Sequence, residues 1–238
     1  MIEDVSAGPQ RRAFLKSGLA LAGALAVPGA VSAALRGQQV RGTFATMDGA
    51  VLPSRSVASL VSTPPTSTRV VRPELMRHAL TALGRHADAI RHQDRIAIVD
   101  FTAPSAKARF HIVDIVNGDS TSYLVAHGSG SDPTHTGWLQ RFSNADGSNA
   151  SCEGAFVASD YYVGKHGRSQ RLVGLDPTND NALPRAIVVH SAWYSNPEML
   201  RTHGMLGRSQ GCFAVGEQDL QTVFDRLGEG RMIYAAKV

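Results

Sequence analysis

Cysteine is nearly absent from this 238-residue chain: there are two, Cys152 and Cys212. That excludes a disulfide-dense scaffold, which needs several bridges to hold a small core. Aromatic residues are also sparse, at 6%, and no basic stripe is interleaved with them. The chain therefore lacks the stacking and electrostatic footprint of a nucleic-acid binder. No apolar run reaches the roughly 20 residues that span a bilayer. There is no internal repeat, no His/Cys/Asp cluster with zinc spacing and no EF-hand loop, so neither a metal nor another cofactor is expected. Charge of either sign is modest, with 24 Lys and Arg against 20 Asp and Glu and a formal net charge of +4. So mild an excess suits an acidic surface or polymer. Glycine is plentiful, at 23 residues, and with scattered Ser, Thr and Pro it favours turns over long helices. The length suits one sizeable domain with extensions, or two small ones.

The N-terminal stretch RRAFLKSGLALAGALAVPGAVSA opens with Arg11 and Arg12. A short apolar run follows, from about Gly18 to Val31, and it closes on small residues. A basic region, an apolar run and an A-x-A-like end describe a cleavable signal. The twin arginine resembles a Tat export signal, with Gln10 in the position where Ser or Thr is usual. Residues 1–33 are thus expected to be a signal, with a retained N-terminal anchor as the alternative. Export to the periplasm or cell envelope is implied, with no stable membrane insertion after cleavage. Residues 34–72 carry Pro64-Pro65 and no helical period, and read as a linker or extended arm.

From residue 73 to 238 the pattern is that of one mostly β domain with one or two helices. Pro73 suits a first helical turn, and Leu75, Met76, Ala79, Leu80, Leu83, Ala87 and Ile90 recur at three- and four-residue steps. His78, His86 and His92 on this segment read as solvated positions. Then come short apolar runs: RIAIVDF, RFHIVDIV and STSYLVAH, the last two flanking the hairpin signal Asn117-Gly118. A long Gly/Ser/Asp/Asn-rich loop runs from Gly128 to Ser151. Further strands are expected in GAFVAS, QRLVGL, RAIVVH and MIYAAKV, with a helix over about 217–227.

The stretch GRSQGCFAV, from Gly207 to Val215, places Cys212 after a Ser-Gln-Gly step that favours exposure. A thiol attacks as thiolate, and a neighbouring histidine can take its proton. His190 ends the apolar run AIVVH, so a buried strand would deliver its imidazole to a strand end, and the Ser191 carbonyl could orient the ring. Gly211 would allow a sharp turn and the close approach of a substrate carbonyl to the Gly211 and Cys212 amides. On these residues alone, a structural cysteine or a Cys152–Cys212 disulfide remains open. The second thiol lies in NASCEGAF, where Ser would serve equally well.

IVVHSAWYS followed by HGMLGRSQGCFAV resembles the YkuD-like L,D-transpeptidase family, in its murein L,D-transpeptidase catalytic branch. The block from Tyr162 to Tyr194 (YVGKHGRS to AIVVHSAWY) adds to the resemblance, which covers residues 73–238. It implies a β-sandwich or mixed sheet. Cys212 is then the nucleophile, His190 its base and Ser191 the residue whose carbonyl orients the ring. Ser209 and Gly211 match the S-x-G before the nucleophile. Gln210 and Ala214 depart from the family, which has His and Arg there. A carboxylate contact is thereby open to Arg208 or Arg185, since a guanidinium binds carboxylates in a fork. Tyr162 and His166 fall on a cleft wall. The implied partner is a peptidoglycan tetrapeptide stem, cleaved through a thioester that an amine resolves to a 3–3 cross-link or water to a tripeptide. The rivals are a wall-binding module without catalysis, a cysteine endopeptidase and an exported structural domain. Asp176, Asn179, Asp180 and Asn181 read as turn formers, and His203 as a competing base that no strand delivers.

Overall fold

The computed structural model describes residues 70–238. The expected signal over residues 1–33, and all but the end of the arm over residues 34–72, lie outside the described residues. The first element is helix α1, Pro73–Arg85, with Pro73 in its first turn. It buries Leu75, Ala79, Ala82 and Leu83. Leu80, which the helical spacing puts on the apolar face, is 42% exposed instead, and Ala82 takes its place in the core. The helix ends five residues earlier than the apolar period, because His86 turns away to hydrogen-bond Asp176 Oδ1 at 2.9 Å. His86 is thus a bonded residue and not a solvated one.

Strands β1 (Arg95–Asp100), β2 (Phe110–Asp114) and β3 (Ser120–Tyr123) follow. The Asn117-Gly118 turn joins β2 and β3 as an antiparallel hairpin with Phe110 opposite Tyr123, and Gly118 takes the left-handed φ of 78°. The short β4 (Val125–Ala126) comes next. The long loop then leads to the β5 (Gly154–Gly164) and β6 (Gly167–Gly174) hairpin. After β7 (Val188–Ser191) come the short helix α2 (Pro197–His203), β8 (Phe213–Val215), helix α3 (Leu220–Leu227) and β9 (Met232–Ala236). The helix α2 and the three-residue β8 carry too few periodic positions to be seen in the sequence.

All nine strands join one mixed sheet in the order β3-β2-β1-β9-β5-β6-β7-β8-β4. The pairs β1–β9 and β7–β8 are parallel, and the other neighbours are antiparallel. The fold is mostly β with three α-helices among the described residues. The sheet is rolled. The strands β3 and β4 stand at its opposite ends, yet only Leu124 separates them in sequence. In a flat sheet β1 and β8 would lie about 24 Å apart, at five strand spacings, but the Phe101 and Phe213 ring centroids are 6.0 Å apart.

Rolling gives the sheet an inner and an outer face. Ala97, Val99, Phe156, Val189, Phe213 and Ile233 point inward against α3, whose Leu220, Val223, Phe224 and Leu227 complete the main core. Ile96, Ile98, Ala155 and Met232 point outward beneath α1. This is why β1 reads as a continuous apolar run: both of its faces are buried. At the seam Arg109, with 0% exposure, donates to the carbonyls of Ala103 and Val125 and to His127 Nδ1.

Candidate active site

Register fixes which side chains share a face. In the parallel pair β7–β8, Val189 is opposite Phe213 and His190 opposite Ala214. Val189 and Phe213 point into the core. Strand alternation then puts Val188, His190 and Cys212 on the other face. Both Cys212 and His190 line one cavity of about 440 Å³. On the next strand Ser169 is opposite His190, and beyond it Tyr162 is opposite Ser169. Tyr162 therefore projects on the same side and forms part of the wall.

His190 is 1% exposed. Its Nδ1 lies 2.8 Å from the Ser191 carbonyl oxygen. A carbonyl can only accept, so Nδ1 carries the hydrogen and Nε2 presents its lone pair. Burial, the largest influence, pushes the His190 pKa down to about 4. The Ser191 carbonyl acts the other way, and His166 and Lys165 add smaller downward pushes. The imidazole is therefore neutral around pH 7 and ready to accept a proton.

Cys212 is 8% exposed, and its Sγ lies 3.5 Å from the Ala186 carbonyl oxygen. Burial pushes its pKa above the usual thiol value, while the Val188 and Cys212 amides and the Lys165 and Arg185 cations pull down. At neutral pH the pair is thiol and imidazole, not thiolate and imidazolium. Ala186 holds a left-handed φ of 53°. This strained conformation for a residue with a side chain aims its carbonyl at the sulfur.

The loop bearing Cys212 is stitched in place from below. Ser209 N–H donates to the His127 carbonyl, and Ser129 N–H to the Ser209 carbonyl. Ser209 Oγ donates to the Cys212 carbonyl at 2.7 Å and accepts Gly211 N–H at 3.1 Å. That last bond corrects one expectation: the Gly211 amide is already engaged, so of the two anticipated oxyanion donors only the Cys212 amide remains. Gly211 is required for a different reason than room for a substrate. It holds φ 115°, and a Cβ there would sit 2.7 Å from Ile187 Cδ1 and 2.8 Å from the Ala150 carbonyl oxygen.

The cavity wall gathers Tyr162, Lys165, His166, Tyr194, Arg185 and Arg208. His166 stacks on His190 with centroids 4.4 Å apart. Arg185 and Arg208 differ. Arg185 donates to the carbonyls of Ser143 and Ala150, to Ser148 Oγ and to Cys152 Sγ. Four of its five N–H groups therefore brace the long loop, and the forked carboxylate contact anticipated for it is not available. Arg208 uses only Nη1, toward the Asp132 and Pro133 carbonyls. The sequence did not point to Tyr194; Lys165 falls in the YVGKHGRS stretch that the resemblance placed on the cleft wall. Burial pushes the Tyr194 phenol up to about 12, with Cys212 adding to it.

Both cysteines are free, which removes the disulfide. Cys152 is fully buried, at 0% exposure, and its sulfur accepts a hydrogen bond from Arg185, so it is an integrated core residue. His203 ends α2 on an exposed position and does not line the cavity. Asp176 and Asn179 serve turn and strand contacts: Asp176 N–H donates to Asn179 Oδ1, and both side chains bond Ala155 backbone. Among the described residues no group of His, Cys, Asp and Glu could hold a metal ion.

Residues 67–236 match the family model described as L,D-transpeptidase catalytic domain. No curated protein is significantly similar to the chain. Solved structures similar to it include an L,D-transpeptidase from Mycobacterium smegmatis, at 13% identity over 60% of this chain and 58% of that one, with a TM-score of 0.36. Another is L,D-transpeptidase 1 of Mycobacterium tuberculosis, at 15% identity over 59% and 60%, TM-score 0.34. A third, from Stackebrandtia nassauensis, has 13% identity over 67% and 66%, TM-score 0.37. The chain spans about three-fifths of the length of the first two.

Proposed function

The chain belongs to the L,D-transpeptidase catalytic domain family, and from that premise we propose that it is an exported cysteine acyltransferase acting on peptidoglycan tetrapeptide stems. The observation that carries this reading is that Cys212, immediately before β8, and His190 on the neighbouring β7 line one cavity, with His190 Nδ1 tied to the Ser191 carbonyl. Nε2 is left to accept the thiol proton as Sγ bonds to the carbonyl carbon of the third stem residue. The Cys212 amide is placed to receive the developing oxyanion. The tetrahedral centre then collapses, the C–N bond breaks, and His190 returns its proton to the departing D-residue. A thioester remains on Cys212. An amine from a second stem, or water, gives its proton to His190 and displaces the thiol.

The Tat-like N-terminus supports export, because the wall lies outside the cytoplasmic membrane. Among the described residues no helix is long and apolar enough to cross a membrane. The catalytic unit is proposed to run from residue 73, where α1 begins, to the end of the chain.

The test is mass spectrometry of a disaccharide-tetrapeptide incubated with the protein and, in parallel, with its Cys212→Ala variant. Loss of the terminal D-residue only in the Cys212 protein supports the reading. A cross-linked dimer would identify transfer and a tripeptide would identify L,D-carboxypeptidation. No turnover and no acyl adduct on a reduced Cys212 would sink it in favour of a wall-binding module.

A further inference from the structure

The cavity around Cys212 and His190 is lined by Lys165, His166, Arg185 and Arg208 and by no aspartate or glutamate. Walls of one charge sign concentrate the opposite sign. These basic groups are not equivalent. Arg185 is engaged by the long loop. Arg208 keeps Nε and Nη2 without a hydrogen-bond partner among the described residues. Lys165 is exposed and has neither a hydrogen bond nor an ion pair there. Two cations therefore reach one cavity from two elements. Arg208 stands on the nucleophile loop, four residues before Cys212. Lys165 stands on the two-residue tip of the β5–β6 hairpin, beside His166, which stacks on His190.

The chemistry of the departing group orders these two cations. His190 takes the proton from Sγ and must return it to the leaving nitrogen, so that nitrogen lies against His190. The carboxylate of a terminal amino acid is attached to the carbon next to its nitrogen, which brings it to the His166 and Lys165 side. The acyl residue stays bound to Cys212, whose own loop carries Arg208 into the same cavity. A diamino acid such as meso-diaminopimelate carries a second carboxylate on its side chain, and that group is anionic only when it is not amidated.

Resting on the reading of Cys212 as nucleophile and His190 as base, we infer that the cavity holds two carboxylate subsites flanking the scissile carbonyl: Lys165 with His166 for the departing D-residue, and Arg208 for a free side-chain carboxylate on the acyl residue. The protein thereby selects stems that are unamidated on both sides of the bond it cleaves. Arg208 meets the second carboxylate with a fork of two donors, the geometry that suits a guanidinium. Lys165 meets the first as a point charge.

The test reads binding, not turnover. Calorimetry on full-length Cys212→Ala protein would use four tetrapeptides containing meso-diaminopimelate and a terminal D-alanine, with each of the two carboxylates either free or amidated. Each amidation is expected to weaken Kd about tenfold, the scale of one charge-assisted contact. Adding Lys165→Gln should erase the discrimination at the terminal position alone, and Arg208→Gln that at the side-chain position alone. Thermal melting checks that each variant remains folded. Equal binding of all four peptides would overturn the two-subsite inference, as would discrimination that survives both substitutions. Turnover of the doubly free peptide by the unsubstituted protein is scored separately. A protein that turns over free and amidated stems equally loses the selectivity and keeps the transpeptidase reading.

Discussion

A histidine at 1% exposure, bonded to a backbone carbonyl and facing no carboxylate, is a neutral base at rest. With the His190 pKa near 4 and Cys212 raised above its usual value, proton transfer accompanies attack and no ion pair is stored beforehand. The expected kcat/KM profile for a tetrapeptide stem follows. It should be flat from about pH 5 to 8 and should fall only as His190 protonates toward pH 4. A profile with its acid limb near the ordinary histidine value, 6.5, would contradict a buried neutral base. The same burial has a consequence for stability. His190 and His127 both have native pKa values near 4, against 6.5 when unburied. Between those values the unfolded chain binds the extra protons, so stability falls as pH drops from about 6.5 and levels off below about 4. Each histidine accounts for on the order of 3 kcal/mol of that loss. Urea unfolding at pH 7, 5.5 and 4.5 should show the decline. The aspartates whose native pKa is depressed, such as Asp94 and Asp114, act below their usual 3.8, outside this window. Of the site, the His190–Ser191 relation was legible because it is local, a ring beside the next carbonyl; the pairing of His190 with Cys212 was legible only through the family resemblance, because strand register and not sequence proximity brings the two together. Tyr194 was not, since only the turn after β7 brings it to the cavity. The engagement of Arg185 was equally hidden, because it depends on a loop some forty residues earlier.

Among the elements, the nucleophile loop depends on a glycine outside it, Gly128. Gly128 pairs with Ser209, and a Cβ at Gly128 would lie 2.3 Å from the Asn149 carbonyl oxygen and 2.8 Å from Gly211 Cα. All of these are backbone atoms that cannot swing aside. Gly128→Ala should therefore push the 207–212 loop away from β7, lowering both the melting temperature and turnover. Gly84 provides the contrast. It lies inside α1, and a Cβ added there would meet nothing within 4 Å. Gly84→Ala should therefore stabilise the protein by roughly 0.5–1 kcal/mol through helix propensity, with turnover unchanged. Thermal melting and stem turnover on the two variants check both. If Gly128→Ala behaved like Gly84→Ala, the close packing beneath the nucleophile would carry no weight. At this scale the long strands and the Asn117-Gly118 hairpin were readable from period and turn chemistry. Gly211 was singled out from the sequence, but Gly128 looked like an ordinary loop residue, because its requirement comes from Asn149 and Gly211, which are distant in sequence.

For the whole molecule, the decisive feature is closure. The chain leaves β3 at one end of the strand order and enters β4 at the other after a single residue, Leu124. No local pattern announces such a seam; STSYLVAH reads as one continuous strand, and only the pairing of its halves with β2 and β8 divides it. The seam is held by a charged side chain where an apolar one would be expected. Arg109 has 0% exposure, and burial lowers its pKa to about 9 against the pull of Asp100 and Asp132. Its Nε and Nη2 both donate to the Val125 carbonyl, Nη1 to the Ala103 carbonyl and Nη2 also to His127 Nδ1. His127 in turn accepts Ser209 N–H at its carbonyl, so the seam lies directly behind the nucleophile loop. Arg109→Leu leaves the buried Val125 carbonyl and the half-buried Ala103 carbonyl without this partner and should destabilise the fold by roughly 3–5 kcal/mol. Arg109→Lys should recover little, because an ammonium cannot span the three acceptors that a planar fork reaches. The urea midpoint is expected to fall in both variants with the slope retained, and hydrogen exchange should accelerate first at β3 and β4. An unchanged midpoint would mean that the inward-facing phenylalanines close the sheet without the guanidinium. The proximity of Phe101 to Phe213 would then be the cause of closure and Arg109 only its occupant.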